Sequence, residues 1–192
     1  MRTFVIRLLT SFLLCIGCAA VSHGQGSSPP AKPDLSGTWA FDRGRSNVGK
    51  NSSVNSEIKI SHLDPELRIL RTIDINGQPA QRELIYYTDG RGETNPTTTW
   101  LSTSPDPTSP RPAETKSKTK WNGDRVVIRS KLRLMAGIHA IEEDVVDEWK
   151  LSADGKTLTQ TTRHIFPANS PGVIFVPANR PAAKKVYTLI SK

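Results

Sequence analysis

The sequence predicts an all-β domain, an antiparallel up-and-down barrel of about eight strands that follows an N-terminal signal segment. Three observations support this prediction. Apolar residues recur at every second position over most of the chain, which is the period of a half-buried strand. Short turn sequences rich in Asn, Asp and Gly separate these runs. No stretch has the apolar spacing of an amphipathic helix.

The N-terminus, residues 1–25, has the features of a signal peptide. Arg2 and Arg7 form a short positive region, and residues 8–21 are apolar apart from two hydroxyl residues. Small residues typical of a signal-peptidase site follow in "AAVSHGQ". The apolar run is too short for a stable membrane span. We therefore expect export, either to a periplasm or out of the cell.

Both cysteines of the chain, Cys15 and Cys18, lie in this segment. The sequence "CIGC" resembles the lipidation box of bacterial lipoproteins, with the small residue Gly17 before Cys18. Cys18 is therefore a candidate for lipidation, which would anchor the protein to a membrane by its N-terminus. With or without the lipid, the folded domain has no cysteine for a disulfide or for thiol chemistry.

The chain is basic, with 26 Lys and Arg residues against 18 Asp and Glu residues. Such an excess favours anionic neighbours such as envelope phosphates or acidic polysaccharide, or it serves only to keep the protein soluble. Nucleic acid is not expected as a partner. Export argues against it.

Composition divides the rest of the chain into a linker, a domain and two irregular segments. Residues 26–33, "GSSPPAKP", have the composition of a flexible linker, and residues 34–192 are enough for one domain. Within the domain, residues 93–114 are rich in Pro, Thr and Ser, which predicts a long surface loop. Residues 167–184 form a second irregular stretch. Its apolar "VIFV" either caps one end of the barrel or forms a contact surface or lid.

The alternation of apolar and polar residues is clearest in "RVVIRSKLRL". Val126, Ile128, Leu132 and Leu134 share one face of this run, and arginines and lysines share the other. The runs "EIKISHL", "LRILRTIDI" and "KVYTLIS" repeat the pattern. Each run therefore predicts a strand with one buried and one solvated face.

Turn sequences join these strands in chain order. "ING" at 75–77, "DG" at 89–90, "NGD" at 122–124 and "ADG" at 153–155 supply residues that tolerate positive φ. The last of them makes "VDEWKLSADGKTLTQTTRHIF" one long hairpin. Strands joined to their sequence neighbours favour a closed meander over a sandwich.

The first predicted strand opens with "SGTW", in which Gly37 and Trp39 resemble the Gly-x-Trp motif of the calycins, the lipocalins in particular. "WNGDRVVI" and "EWKLSADGKTLT" are similar to a group of exported bacterial lipocalin-like proteins with no assigned activity. The resemblance implies that Trp39 plugs one end of the barrel and that Gly37 lets the chain pass close beneath it. It also implies a basic side chain stacked on the indole, for which Arg163 and Lys184 are the candidates.

The strand period also predicts which polar side chains point inwards. Five of them share a strand face with apolar residues: Arg71, Glu143, Asp147, Gln160 and His164. Because a buried charge needs a partner, three interpretations remain open. The five residues line a wet pocket that binds a ligand, or a bulge turns some of them towards solvent. In the third, Arg71 forms a structural ion pair with Glu143 or Asp147.

The function we expect is that of a non-enzymatic exported barrel that binds or carries a small apolar or amphiphilic molecule. The alternative is a cell-envelope interaction protein with a filled interior, whose basic outer strands contact a partner. An enzyme using His164 with Glu143 or Asp147 has less support, because no nucleophile or phosphate-loop motif is present. No cofactor and no metal are expected, since His62, His139 and His164 lack the spacing of metal ligands.

Overall fold

The computed structural model describes residues 31–49, 56–75, 78–99, 111–136, 139–166 and 181–192. All regular secondary structure in these residues is β-strand, and they include no helix long and apolar enough to cross a membrane. The described part forms ten strands: β1 (Gly37–Asn47), β2 (Glu57–Leu63), β3 (Glu66–Ile75), β4 (Gln78–Tyr87), β5 (Glu93–Thr99), β6 (Arg111–Asn122), β7 (Arg125–Ala136), β8 (His139–Leu151), β9 (Thr157–Ile165) and β10 (Ala183–Ser191).

The ten strands form one antiparallel sheet in the order β4-β3-β2-β1-β10-β9-β8-β7-β6-β5. Every bonded neighbour is thus a neighbour in sequence, except that β1 pairs with β10. The two edge strands, β4 and β5, lie beside each other, so the sheet is a nearly closed up-and-down barrel. The predicted architecture is confirmed and is compatible with a calycin-like fold, but the barrel has ten strands and not about eight.

One of the additional strands, β5, comes from the segment predicted to be a surface loop, residues 93–114. Glu93–Thr99 forms β5, and β6 already begins at Arg111. The prediction was wrong because the inward side chains of β5 are polar, so the segment shows no apolar alternation. Pro96 is tolerated because β5 is an edge strand. The second predicted irregular segment, residues 167–184, lies mostly outside the described residues, including its "VIFV", and β10 begins near its end.

Three of the four predicted turns join strands that pair with each other, whereas the turn at 89–90 joins the two edge strands, β4 and β5. Ile75 pairs with Gln78 across the first turn, and the β8–β9 hairpin is as long as predicted. Gly123 and Gly155 have φ values of 62° and 69°, in the left-handed region that favours glycine. Turn chemistry therefore set the register of these hairpins.

Successive connections of a meander lie at opposite ends of the barrel. We call the end with the β2–β3, β4–β5, β6–β7 and β8–β9 turns the Trp39 end, and the other the opposite end. Most of the buried apolar cluster lies towards the Trp39 end and the middle of the barrel. Its members are Leu35, Trp39, Ile58, Ile60, Leu67, Ile69, Leu84, Tyr86, Val126, Ile128, Trp149, Leu158 and Tyr187.

Candidate ligand-binding site

The Trp39 end is closed by the residues of the Gly-x-Trp motif. Trp39 is completely buried, and its Nε1 donates a hydrogen bond to the Leu35 carbonyl oxygen at 3.1 Å. Gly37 has a φ of 144°, and a Cβ there would lie 2.7 Å from Cδ1 of Leu189 and 2.9 Å from the carbonyl oxygen of Ser191. Trp39 therefore plugs this end, and only glycine permits the close chain approach beside it.

The predicted cation partner of this indole is wrong. Arg163 is on the outer face of β9, where it pairs with Glu148, and Lys184 is exposed on the outer face of β10. The strand period explains the error, because each residue directly adjoins an inward-facing one. A different interior indole, that of Trp149, has a cation–π contact with Arg71, whose guanidinium carbon lies 5.6 Å from the ring centroid.

Trp149 lies at the boundary between the apolar cluster and the polar side chains. One neighbour is Tyr187, whose ring is stacked on the indole with centroids 6.3 Å apart. The other is the guanidinium group of Arg71. Nε1 of Trp149 and Nε of Arg71 are both buried and have no hydrogen-bond partner among the described residues. Two neighbouring side chains therefore each have a buried N–H group that is free to donate a hydrogen bond to a ligand.

Asp147 is the carboxylate closest to this boundary along the inner face of β8. Its Oδ1 accepts a hydrogen bond from Nε2 of Gln160 at 3.1 Å and another from the Thr162 hydroxyl. The Oε1 atom of Gln160 is buried without a partner in the described part of the chain. Asp147 forms no ion pair with Arg71, so the predicted Arg71–Asp147 pair is not present.

Glu143 and His164 form a separate pair nearer the opposite end. Oε1 of Glu143 lies 3.1 Å from Nδ1 of His164, and the Glu143 side chain is only 3% exposed. Glu143 thus pairs with His164 and not with Arg71, the second predicted ion pair. All five predicted residues are on the inner face, but the structure brings them together as two groups.

Three further inward residues were missed by the sequence analysis: Arg82, Tyr86 and Lys185. Arg82 and Tyr86 alternate with Leu84 along β4, and Lys185 alternates with Tyr187 along β10. The same period that identified Arg71 could have identified them. Moreover, a two-residue turn after Ile75 places Arg82 directly opposite Arg71.

Burial changes the protonation behaviour of the side chains around Arg71. The pKa of Lys185 is lowered first by burial and then by repulsion from Arg71, against an opposing attraction to Asp147. Burial raises the pKa of Tyr86 to about 12 and also raises that of Tyr187. Both phenols are neutral at physiological pH. After desolvation, repulsion from Arg71 is the largest influence on the pKa of Lys185.

Two cavities lie beside the polar side chains around Arg71 and Asp147. The first, of about 250 Å³, is bounded by the inner faces of β3 to β8, and the second, of about 370 Å³, lies at β1, β9 and β10. Asp147 lines the first cavity. Thr162, whose hydroxyl donates a hydrogen bond to Asp147, lines the second. The described lining of the first is Arg71, Arg82, Leu84, Tyr86, Asn95, Pro96, Thr97, Thr115, Ser117, Ile128, Ser130, Leu132, Val145 and Asp147.

The seam between β4 and β5 borders the first cavity and is closed by side chains. The amide of Ile85 donates to Oδ1 of Asn95 at 2.7 Å, and Nδ2 of Asn95 donates to the Ile85 carbonyl oxygen at 2.7 Å. The carboxamide thus reproduces the two bonds that a neighbouring strand would make. Oε2 of Glu93 accepts the amide of Tyr87, and its Oε1 accepts two hydroxyls of β6.

The chain matches no family model and no curated protein sequence. The calycin resemblance therefore depends on the Gly-x-Trp motif together with the barrel that contains it.

Proposed function

We propose that this protein is a non-enzymatic binding protein that holds a small, partly apolar molecule inside the barrel, between the middle and the opposite end. Three buried polar atoms support the proposal: Nε of Arg71, Nε1 of Trp149 and Oε1 of Gln160 have no partner among the described residues. Each such atom costs about 1–3 kcal/mol when it is left unsatisfied. A ligand with polar groups would recover part of that cost.

The wall of the 250 Å³ cavity supports a ligand with an apolar part. Leu84, Ile128, Leu132 and Val145 line it alongside the charged residues. A volume of about 250 Å³ is slightly below the range of about 300–1,000 Å³ typical of small-molecule pockets. The ligand we propose is therefore small and amphiphilic.

No catalytic step is part of this proposal. Glu143 and His164 are residue types that can transfer protons. Their contact also has a structural explanation, because a carboxylate that is 3% exposed needs a partner to offset its desolvation. We assign the pair that structural role.

Export is also part of the proposal, and it depends on the sequence alone, since residues 1–25 lie outside the described part. The signal-like N-terminus supports it, and Cys18 is the candidate for a lipid anchor. The intact mass of the mature protein tests both ideas. Cleavage near residues 22–25 gives an unmodified soluble chain, whereas a mass that begins at Cys18 with added acyl groups gives the anchored form.

Native mass spectrometry of the purified mature protein tests the binding proposal. We expect a co-purifying small molecule, or saturable uptake of the small neutral solvatochromic dye prodan with a blue-shifted emission. Absence of both a bound mass and dye uptake would contradict the proposal.

That negative result would favour the alternative, an interaction protein of the cell envelope with a filled barrel. A groove of about 850 Å³ on the outer faces of β6 to β8 is the observation in its favour. Four cationic side chains line this groove together with Glu114 and Asp144: Lys116, Lys118, Arg129 and Lys131. Such a surface suits an anionic partner.

A further inference from the structure

Two arginines face each other inside the barrel. Arg71 on β3 and Arg82 on β4 are direct register partners, and both line the 250 Å³ cavity. Like charges directly opposite on an antiparallel pair destabilise a sheet. A folded protein that keeps this arrangement inside its barrel therefore accepts a cost that an anion between the two guanidinium groups would remove.

The described residues compensate this charge only in part. Neither arginine forms an ion pair with a carboxylate in the described ranges. Asp147 lines the same cavity, but its Oδ1 already accepts hydrogen bonds from Gln160 and Thr162. Two guanidinium groups and one carboxylate leave the lining with one net positive charge. Nε of Arg71 also keeps an unused donor.

The remaining wall of the cavity indicates what the anion is attached to. Leu84, Ile128 and Val145 are buried apolar side chains on the same surface as the arginines. A fully hydrated inorganic ion would leave them without contact, whereas an alkyl or aryl group would pack against them. A single negative charge also matches the single net positive charge.

We propose that the ligand is a small organic monoanion whose carboxylate is bound between Arg71 and Arg82 and whose apolar part packs against Leu84, Ile128 and Val145. This inference rests on the proposed binding function and names its ligand class. Guanidinium groups suit the role because their planar donors match the two oxygens of a carboxylate.

Isothermal titration with three matched probes tests the proposal: octanoate, octan-1-ol and octylamine share an alkyl chain and differ in headgroup charge. We expect octanoate to bind the wild-type protein at least about tenfold more tightly than octan-1-ol, which is the effect of one charge-assisted hydrogen bond. Octylamine should bind more weakly than the alcohol. Inorganic phosphate, the fourth titrant, should bind more weakly than octanoate because it lacks the apolar part.

Arg82→Met is the decisive variant, because Arg82 lacks the contact with Trp149 that Arg71 makes. We expect the preference for octanoate over octan-1-ol to fall to about onefold, while octan-1-ol affinity is retained. The melting temperature of the ligand-free variant should equal or exceed that of the wild type, since the like-charge pair is gone. Arg68→Met is the matched control, because Arg68 lies on β3 but pairs on the outer face with Glu66 and Glu83.

The other possible results of these titrations each contradict a specific part of the proposal. Equal binding of octanoate and octan-1-ol would overturn the monoanion but leave the binding function intact. Failure of every organic probe to bind would overturn both proposals. Phosphate binding more tightly than octanoate would replace the carboxylate by an inorganic oxyanion. An equal loss in the Arg68→Met variant would show that net charge, and not this site, sets the preference.

Discussion

The two ends of the barrel interior differ in how well their buried side chains are packed and hydrogen-bonded. At the Trp39 end, large side chains are fully buried and the polar atom of Trp39 has a partner in Leu35. Towards the opposite end, Arg71 and Gln160 have buried polar atoms without described partners, and Arg71 faces Arg82. The first arrangement contributes stability, whereas the second reduces it.

This difference indicates a division of labour. The closely packed end stabilises the barrel. The other end retains unpaired polar groups that destabilise the ligand-free protein. Violations of packing and pairing rules are expected at functional sites, because binding groups must be kept unsatisfied until the ligand arrives. Three of the four unpaired buried atoms in the described residues lie around Arg71 and Asp147, and they support placing the site there. The fourth, Nε2 of His62, lies at the Trp39 end, 3.7 Å from Oδ1 of Asp64.

The largest effect should follow from removing the plug. Trp39→Ala should lower the free energy of unfolding by about 4 kcal/mol, because it leaves a large cavity and an unpaired Leu35 carbonyl. Trp121→Ala is the control, since Trp121 lies at the same end but is only partly buried. Urea unfolding of both variants measures the difference. Equal losses would break the comparison, because the closed end would then not depend on its plug.

Alkaline pH should reveal the burial of Tyr86. Its folded pKa of about 12 lies above the ordinary value of 10.0, so the folded protein holds a proton that the unfolded chain releases. Stability from this group is fully present below pH 10 and is lost as the pH rises towards 12, by about 3 kcal/mol over the whole window.

Tyr86→Phe should remove that part of the alkaline loss. Urea unfolding at about pH 9 and about pH 11.5 measures it, with Tyr87→Phe as the control because Tyr87 faces the other side of β4, beneath Arg91. If both variants lose stability with pH as steeply as the wild type, the phenol of Tyr86 is not buried in the way described here.

A smaller effect is expected at the seam. Asn95→Ala removes both hydrogen bonds to Ile85 and should cost about 2 kcal/mol, because two backbone groups lose their partner. Hydrogen exchange at the Ile85 amide should accelerate, while exchange within the β7–β8 ladder should not. Unchanged exchange at Ile85 would mean that the carboxamide does not hold the β4 and β5 edges together.

The sequence was sufficient to predict the barrel, because the alternation of apolar residues along the strands and the turn residues between them specify this architecture. Gly37 and Trp39 predicted the closed end, and the period predicted that Arg71, Asp147 and His164 face inwards. It could not detect β5, since Asn95 and Glu93 are polar side chains that face the interior and close the seam. Contacts across the barrel, such as that of Arg71 on β3 with Trp149 on β8, could not be predicted, because no turn fixes the relative position of strands far apart in sequence. The pairing of Glu143 with His164 lies within the β8–β9 hairpin, so the hairpin register could have predicted it.

The indole signals of a ¹H–¹⁵N NMR spectrum test the division between the two ends most directly. Trp149 Nε1–H has no described partner and lies beside Arg71, whereas Trp39 Nε1–H is bonded to Leu35. Titration with octanoate should shift the Trp149 signal in a saturable way and leave the Trp39 signal in place. A Trp149 signal that does not move, or a Trp39 signal that moves equally far, would contradict a binding site confined to the polar part of the barrel.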